Sequence, residues 1–310
     1  MKQHQRVSRM SQKTKVAVIG LGSMGFGMAN CCLGAGLETF GYDVNKDAEA
    51  RFKALGGAGA PLSDAIQAID AALIVVLNAA QTEAVLFGDD GIVSRMAKGA
   101  VVISSATVSP DFARDMERRC AAFGVHYLDA PISGGSLKAA SGDLTIMASG
   151  SKEAFAKAAP VLDAISAKIF DLGESAGPGS AMKATNQLLA GVHIVSMAEA
   201  LTFGMTQGIS PETFLEVISQ SAGTSWMLEN RAPHIVDGDY TPRSTVNIWP
   251  KDLGIVLDIA KDAKFSAPIT AAAMQQYLAA AGMGLGLEDD AAVTKVYARN
   301  AGLTLPEKDK

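Results

Sequence analysis

One short stretch near the amino terminus limits the possible folds of this chain more than any other. The residues GLGSMG, 20–25, have the spacing G-x-G-x-x-G. The pattern alone is weak because glycine is common. Here it follows an apolar strand, Lys15–Ile19, and opens a segment of helical character, 23–33. This is the strand–loop–helix context that a dinucleotide-binding βαβ unit needs.

Each glycine of this loop has a physical role in such a unit. Gly20 permits the tight turn, Gly22 lets a pyrophosphate approach the backbone, and Gly25 lets the helix pack closely on the strand. The phosphates then lie at the helix N-terminus, where amide hydrogens point outward. The sequence therefore predicts a cofactor-binding loop that consists of Gly20, Leu21, Gly22, Ser23, Met24 and Gly25.

Asp43 ends the next predicted strand and indicates which dinucleotide is bound. Its carboxylate can accept both ribose hydroxyls of NAD and would repel a 2′-phosphate. No arginine follows Asp43 closely in sequence, and Lys46 is the nearest cation. The plain alternative is a glycine turn followed by an aspartate that caps a helix. Because strand, glycines, helix and acid occur in order, we predict NAD as the cofactor.

The order of secondary-structure signals divides the chain into two domains. Apolar runs such as 72–77, 100–103, 125–128 and 144–148 alternate with segments of helical length. This alternation predicts a mostly parallel sheet. After Gly179 the strand signals stop, and alanine-rich helical stretches follow. We predict an α/β protein with a disordered polar tail over 1–13, a Rossmann-type domain over 14–176 and an all-helical domain over 177–310.

Composition excludes several classes of function. The net charge is −5, so nothing in the charge favours nucleic acid, and 48% hydrophobic with 19% charged residues suits a soluble globular protein. Three cysteines, Cys31, Cys32 and Cys120, are too few for a secreted disulfide framework, which favours the reducing cytoplasm. No uninterrupted apolar run reaches ~18 residues. We therefore expect neither a membrane span nor a secretory signal.

Two further motifs carry groups suited to binding or chemistry. In DAPISGG, 129–135, Ser133, Gly134 and Gly135 offer consecutive backbone amides and one hydroxyl, a nest suited to a carboxylate, although a plain turn has the same sequence. In GPGSAMKATNQLLAG, 177–191, Lys183 begins a helix whose dipole disfavours it. Asn186 and Gln187 follow on the same helix face.

Taken together, these motifs resemble a known enzyme family. GLGSMG, DAPISGG, GPGSAMKATNQ and KDLG (251–254) occur in the order typical of β-hydroxyacid dehydrogenases, which include 3-hydroxyisobutyrate dehydrogenase and tartronate semialdehyde reductase. The resemblance covers roughly 15–299. Longer stretches, NAAQTEAVLFG (78–88) and SAGTSWMLENRAPHI (221–235) among them, are similar to the family's L-threonate dehydrogenase branch. That resemblance implies NAD-dependent oxidation of L-threonate to 2-oxo-tetronate (2-dehydro-L-erythronate) in four-carbon acid-sugar catabolism.

The resemblance also implies roles for individual residues. Lys183 corresponds to the catalytic lysine, and the turn 133–135 to the site of the substrate carboxylate. Many relatives have asparagine where this chain has Gln187, so either Asn186 or Gln187 can hold the substrate, with Asn186 the first choice. Asp129 is expected to support its loop rather than to catalyse. Further cofactor contacts are expected from Leu77, Asn78, Thr107 and Lys251.

The placement of Lys183 suits a general base. Alcohol oxidation must remove the hydroxyl proton while hydride leaves carbon, and a neutral amine can take that proton. Free lysine has a pKa of ~10.4, so it is mostly charged at pH 7. Burial, the helix N-terminus and a positive nicotinamide ring are expected to lower the pKa of Lys183. The plain alternative is a solvated lysine that merely begins a helix. No cluster with metal-ligand spacing is evident, and we expect no metal.

Two alternatives remain open from the sequence. The first is an enzyme for another small hydroxyacid, such as 3-hydroxyisobutyrate or tartronate semialdehyde. The second is a non-catalytic binding protein with the same fold, against which the presence of Lys183 argues. In either case we expect a small-molecule ligand, no nucleic-acid or membrane partner, and a homodimer or homotetramer.

Overall fold

The computed structural model describes residues 13–308. The tail predicted over 1–13 lies, except for Lys13, outside the described residues. Two compact units are present. The first comprises the described residues up to Ala106 together with Pro110–Gly179, and the second comprises Thr107–Ser109 together with the described residues from Ser180 onward. The predicted boundary lies after 176, whereas the units divide after Gly179. Gly177 and Gly179 remain with the first unit because their backbone amides bind side chains there.

Strands are confined to the first unit among the residues described. They are β1 (Lys15–Ile19), β2 (Glu38–Tyr42), β3 (Ala71–Ile74), β4 (Val101–Ser104), β5 (His126–Asp129), β6 (Ile132–Ser133), β7 (Leu144–Ala148) and β8 (Ser166–Asp171).

Helices alternate with these strands and then continue alone. Those that begin in the first unit are α1 (Gly25–Gly34), α2 (Lys46–Ala54), α3 (Leu62–Ala65), α4 (Ala79–Phe87), α5 (Pro110–Ala121), α6 (Gly135–Ser141), α7 (Lys152–Ile165) and α8 (Pro178–Thr206). Those that follow are α9 (Pro211–Ile218), α10 (Trp226–Val236), α11 (Ile248–Asp262), α12 (Pro268–Ala280) and α13 (Thr294–Ala301).

Five parallel strands in the order β2-β1-β3-β4-β5 form the main sheet of the first unit. Val16 of β1 pairs with Thr39 on one side and Ala71 on the other. All four residues of β3 and of β4 are buried, as expected when helices cover both faces of a parallel sheet. The predicted α/β class, with a Rossmann-type domain followed by a helical one, is confirmed.

The second sheet differs from the expectation of one mostly parallel sheet. Its order is β6-β7-β8, with β6 antiparallel to β7 and β8 parallel to it. The sequence pattern does not predict β6, which has two residues, or β8, whose side chains are all at least partly exposed. Neither strand has the buried apolar run by which the other strands were recognised.

The second unit packs its helices around a core of its own. Ile194, Leu201, Leu253 and Tyr277 are fully buried there. Within the described part of the chain, α8 alone is long and apolar enough to cross a membrane by length and composition. Core helices of soluble proteins meet that criterion too, and 44% of the most apolar window of α8 is buried.

The stability of the first unit should depend strongly on Phe52. Its ring is fully buried and meets Phe26 edge-on, with ring centroids 6.2 Å apart. We expect Phe52→Ala to lower the free energy of unfolding by about 3–5 kcal/mol, because it leaves a cavity in a close-packed core. Urea unfolding followed by circular dichroism measures this change. Phe123→Ala, at a ring that is 45% exposed, is the matched control and should change stability by less than about 1 kcal/mol.

Candidate active site

The loop between β1 and α1 has the backbone that a dinucleotide needs. Gly20 has φ of +100°, in the left-handed region that favours glycine. A Cβ at Gly25 would lie 1.8 Å from the Gly20 carbonyl oxygen, so α1 packs on this turn only because Gly25 has no side chain. A Cβ at Gly22 would meet no atom within 4 Å. The space over Gly22 is therefore open to a phosphate at the start of α1.

Asp43 is held in place directly after β2. Its Oδ2 accepts a hydrogen bond from the Leu21 amide at 2.6 Å, and its Oδ1 accepts one from the Asn45 amide at 2.8 Å. The carboxylate lines a cavity of about 560 Å³ together with Leu21, Gly22 and Ser23. This combination of open glycine loop and fixed carboxylate fits a dinucleotide with an unmodified ribose.

Arg51 lines the same cavity, although no sequence motif includes it. Its guanidinium carbon lies 5.2 Å from the centroid of the Phe26 ring. Lys46, the cation nearest to Asp43 in sequence, instead binds the Glu49 carboxylate at 3.0 Å and the Asp43 carbonyl at 3.2 Å. Helical spacing offers a signal for Arg51, because Ala48 and Arg51 share one face of α2 and both line the cavity.

Three further predicted cofactor residues follow strands but do not line this cavity, and the fourth, Lys251, lies in α11. Leu77 and Asn78 come after β3, where the Asn78 side chain caps α4 by accepting from the Gln81 amide at 2.9 Å. The Leu77 side chain is 51% exposed. Thr107 comes after β4 and is grouped with the second unit. Cofactor roles for these three residues stay predictions.

The predicted carboxylate turn leads directly into a wall of the dinucleotide cavity. Ser133 ends β6, Gly134 has φ of +140°, and Gly135 begins α6. A Cβ at Gly134 would lie 2.8 Å from Lys138 Cδ. Both the positive φ and this close contact therefore favour glycine at 134. Farther along α6, Ser136, Leu137 and Ala140 line the cavity. The fold therefore places the turn and the cofactor cavity within one residue of each other along the chain.

The segment that begins α8 is anchored by two buried side chains. Asp129 Oδ2 accepts from the Gly177 amide at 3.0 Å, and Ser149 Oγ accepts from the Gly179 amide at 2.9 Å. A negative charge and a hydroxyl therefore satisfy amides at a helix start, where such groups stabilise the helix. This anchoring agrees with the expected supporting role of Asp129. No motif indicates Ser149, because it follows β7 and lies far in sequence from Gly179, whose amide it binds.

Lys183 lies in the second turn of α8 with only 8% of its surface exposed. Burial lowers the pKa of Lys183 to about 8, the negative charge of Asp252 opposes that change, and the positive charge of Lys251 adds to it. The prediction that burial lowers this pKa is confirmed. A solvated lysine, the plain alternative, is inconsistent with this burial.

Two amides and a carboxylate form a chain of hydrogen bonds in the second unit, and the charge of that carboxylate, Asp252, acts on Lys183. Gln187 Nε2 donates to Asp252 Oδ2 at 2.5 Å, and Asn186 Nδ2 donates to Gln187 Oε1 at 3.0 Å. Lys251 Nζ lies 2.5 Å from Asp252 Oδ1. Both ends of the Gln187 amide therefore contact protein groups. Asp252 was overlooked although it lies inside the KDLG motif, since only the lysine of that motif was assigned a role.

A separate network of buried polar side chains lies in the second unit. His234 Nδ1 lies 2.9 Å from Asp289 Oδ1, and Arg231 Nε donates to Asp290 Oδ1 at 2.5 Å. Both histidine and arginine are buried in this network. Over the residues 13–308, no group of three histidine, cysteine, aspartate or glutamate side chains is arranged to hold a metal ion.

Comparison with known proteins gives consistent matches over both units. A model described as the NAD-binding domain of 6-phosphogluconate dehydrogenase matches 15–173. A second, described as NAD-binding of NADP-dependent 3-hydroxyisobutyrate dehydrogenase, matches 177–297. The chain is 48% identical to L-threonate dehydrogenase of Cupriavidus necator over 94% of its length and 98% of the relative's.

One further relative carries the same name, and one solved structure carries a different name. L-threonate dehydrogenase of Pectobacterium atrosepticum is 46% identical, with 94% of this chain and 96% of that protein covered. The crystal structure of 3-hydroxyisobutyrate dehydrogenase from Salmonella typhimurium is 44% identical and superposes with a TM-score of 0.86. It covers 92% of this chain and is itself covered completely.

The titration of Lys183 can be measured without any substrate. Trace acetylation with acetic anhydride across a pH series, followed by peptide mass spectrometry, should give a midpoint near pH 8 for its amine. Asp252→Asn should lower that midpoint, because the carboxylate raises the pKa of Lys183. Asp258→Asn, at an exposed position of the same helix, is the matched control. An ordinary lysine midpoint in the unmodified protein would contradict the environment described here.

Proposed function

This chain belongs to the 3-hydroxyisobutyrate dehydrogenase family of hydroxyacid dehydrogenases, and we propose that its substrate is L-threonate, which it oxidises at C2 to 2-oxo-tetronate. The relatives named L-threonate dehydrogenase support this substrate, since they match over nearly their whole length. The observation that carries the catalytic part of the proposal is the buried lysine, Lys183, with a pKa of about 8. The proposed setting is four-carbon acid-sugar catabolism.

The lowered pKa of Lys183 makes general-base catalysis effective near neutral pH. With a pKa of about 8, roughly one amine in ten is neutral at pH 7, against about one in a few thousand for an ordinary lysine. The neutral amine accepts the proton of the C2 hydroxyl as hydride leaves the same carbon. In the reverse direction the protonated amine returns that proton. Burial thus supplies the base, and Asp252 stabilises the charged product of the proton transfer.

Other residues of the chain bind and orient the two ligands. The turn Ser133–Gly135 binds the substrate carboxylate through a hydroxyl and backbone amides. We assign the substrate contact to Asn186 rather than Gln187, because Gln187 already bonds Asp252 and Asn186. Asp43 accepts the ribose hydroxyls of NAD, and the glycine loop holds its phosphates. Bound NAD supplies the acceptor for the hydride.

A second candidate function has its own observation in favour. The crystal structure from Salmonella typhimurium, 44% identical to this chain, is described as a 3-hydroxyisobutyrate dehydrogenase. That name supports a different small hydroxyacid at the same site. NADH absorbance with a panel of L-threonate, D-threonate, 3-hydroxyisobutyrate and glycerate distinguishes the two candidates. Reaction with no member of the panel would favour the non-catalytic alternative.

The cellular setting and assembly complete the proposal. Cys31, Cys32 and Cys120 are free, which supports a role in the reducing cytoplasm. The family resemblance supports a homodimer or homotetramer, which light scattering at several protein concentrations measures.

Lys183→Ala tests the proposed base. General acid–base contributions are typically ~10²–10⁴-fold, so kcat for L-threonate should fall by about that factor. Lys183→Arg should fail as well, since guanidinium does not release its proton at accessible pH. In the unmodified enzyme the rate of oxidation should rise with pH through about 8, as the amine of Lys183 loses its proton.

Two controls accompany this test. Calorimetric titration of NAD should give nearly the same affinity in Lys183→Ala, because the loop 20–25 and Asp43 belong to the other unit. Lys261→Ala removes an exposed lysine of α11 and should leave kcat unchanged. Near-normal oxidation by Lys183→Ala would refute the mechanism.

Cofactor choice is tested at the cavity beside Asp43. The unmodified protein should bind NAD more tightly than NADP, because a 2′-phosphate meets the Asp43 carboxylate. Asp43→Ala should weaken NAD and strengthen NADP binding, since Arg51 then remains as a cation lining the cavity. Adding Arg51→Ala should abolish the gain, whereas adding Lys46→Ala should not. Equal affinity of the unmodified protein for both cofactors in calorimetry would overturn this assignment.

A further inference from the structure

Helices α8 and α11 approach each other closely at Gly191. A Cβ at Gly191 would lie 2.9 Å from Leu253 Cδ2, 2.9 Å from Trp249 Cε3 and 3.0 Å from Trp249 Cζ3. All three distances are shorter than ordinary carbon–carbon contacts of about 3.5–4.0 Å. A methyl group at this position therefore requires either the opposing side chains or the helices themselves to move.

The Trp249 ring is held so that it cannot move aside freely. It stacks on Tyr277 with centroids 5.5 Å apart and planes 19° from parallel, and its Nε1 donates to Asp290 Oδ2 at 3.0 Å. Asp290 is fully buried and also accepts from Arg231. Tyr277 Oη donates to the Gly191 carbonyl at 2.9 Å, which ties the same cluster to α8.

The groups around the catalytic lysine lie on these two helices, one turn from this contact. Gln187 precedes Gly191 by one helical turn, and Asp252 follows Trp249 by nearly one turn. The two side chains join α8 to α11 through the 2.5 Å hydrogen bond from Gln187 Nε2 to Asp252 Oδ2. Lys183, a further turn along α8, has its pKa raised by the charge of Asp252. The separation of the helices therefore governs both interactions.

We propose that Gly191 is a positioning residue for the active site: by seating the Trp249 ring against the α8 backbone, it holds Asp252 at the distance that orients Gln187 and keeps the carboxylate near Lys183. This inference rests on the proposed role of Lys183 as the base. The buried Arg231–Asp290 pair also helps to position Asp252, because Asp290 holds the indole that fits against Gly191. Misplacement of catalytic groups by about 1 Å can cost ~10²-fold in rate.

The test compares two glycine-to-alanine changes in the same helix. A Cβ at Gly204 of α8 would lie 3.7 Å or more from its nearest neighbours, which is ordinary contact. Gly204→Ala is therefore the matched control, and it should keep kcat, KM and thermal stability, since alanine is the better helix former. Gly191→Ala should lower kcat for L-threonate by about 10-fold or more, with NAD affinity unchanged.

A second readout requires no substrate and separates this inference from the proposed function. Trace acetylation gives the titration midpoint of Lys183, which Asp252→Asn should lower in the unmodified protein. In the Gly191→Ala background the same change should have a smaller effect, because Asp252 is then farther from the lysine. The four proteins form a double-mutant cycle whose non-additivity measures the coupling. If the unmodified protein did not oxidise L-threonate but Gly191→Ala still reduced the effect of Asp252→Asn on the Lys183 midpoint, only the proposed substrate would be refuted.

Trp249→Phe alters the same contact from the side of α11. It allows the proposal to be tested even if Gly191→Ala impairs folding. It removes the fused ring that meets Gly191, and it should reduce the effect of Asp252→Asn on the Lys183 midpoint in the same way. Full retention of that effect and of kcat in both Gly191→Ala and Trp249→Phe would overturn the proposal. Equal losses in Gly204→Ala and Gly191→Ala would overturn it too, since helix composition alone would then be responsible.

Discussion

The withdrawal of one amine from water is the constraint on which the site depends. An isolated ammonium is costly to bury, and the cost is reduced when the group gives up its proton. Lys183 is nearly fully buried and has its pKa lowered to about 8, yet the Asp252 carboxylate limits that fall. In the proposed mechanism, too little burial would leave the amine charged, and burial without Asp252 would make the protonated form that follows substrate oxidation too unfavourable. The position of Asp252 is therefore as consequential as that of the lysine.

Each unit holds a different part of α8 through its own contacts. In the second unit, Asp252 reaches the lysine helix through Gln187, and the buried cluster around Trp249 keeps the two helices together. In the first unit, Asp129 and Ser149 bind the backbone amides at the start of that helix. The helix that carries Lys183 is thus held by hydrogen bonds at its beginning and again at Gln187.

The parts that sequence predicted are those with local signals. The glycine loop, Asp43 and Lys183 belong to short motifs in recognisable context, and strand–helix alternation predicted the fold class. Arg51 and Ser149 were missed because each reaches its cavity or helix through tertiary packing rather than through a neighbouring motif. β8 was missed because an exposed strand lacks a buried apolar run. The role of Asp252 depends on a hydrogen bond to a residue far away in sequence, which no periodicity reveals.

Asp43 carries a consequence for how such a protein can change during evolution. Its two oxygens accept hydrogen bonds from the amides of Leu21 and Asn45, so the residue proposed to repel a 2′-phosphate also ties two loops together. A chain that exchanged Asp43 for a small neutral residue would leave two backbone donors without their partner while it gained access to a new cofactor. Under the proposed role of Asp43, cofactor preference and loop rigidity are therefore inherited together. A lineage that switches preference has to restore the lost hydrogen bonds elsewhere, so a single substitution is a poor route to a fully stable variant.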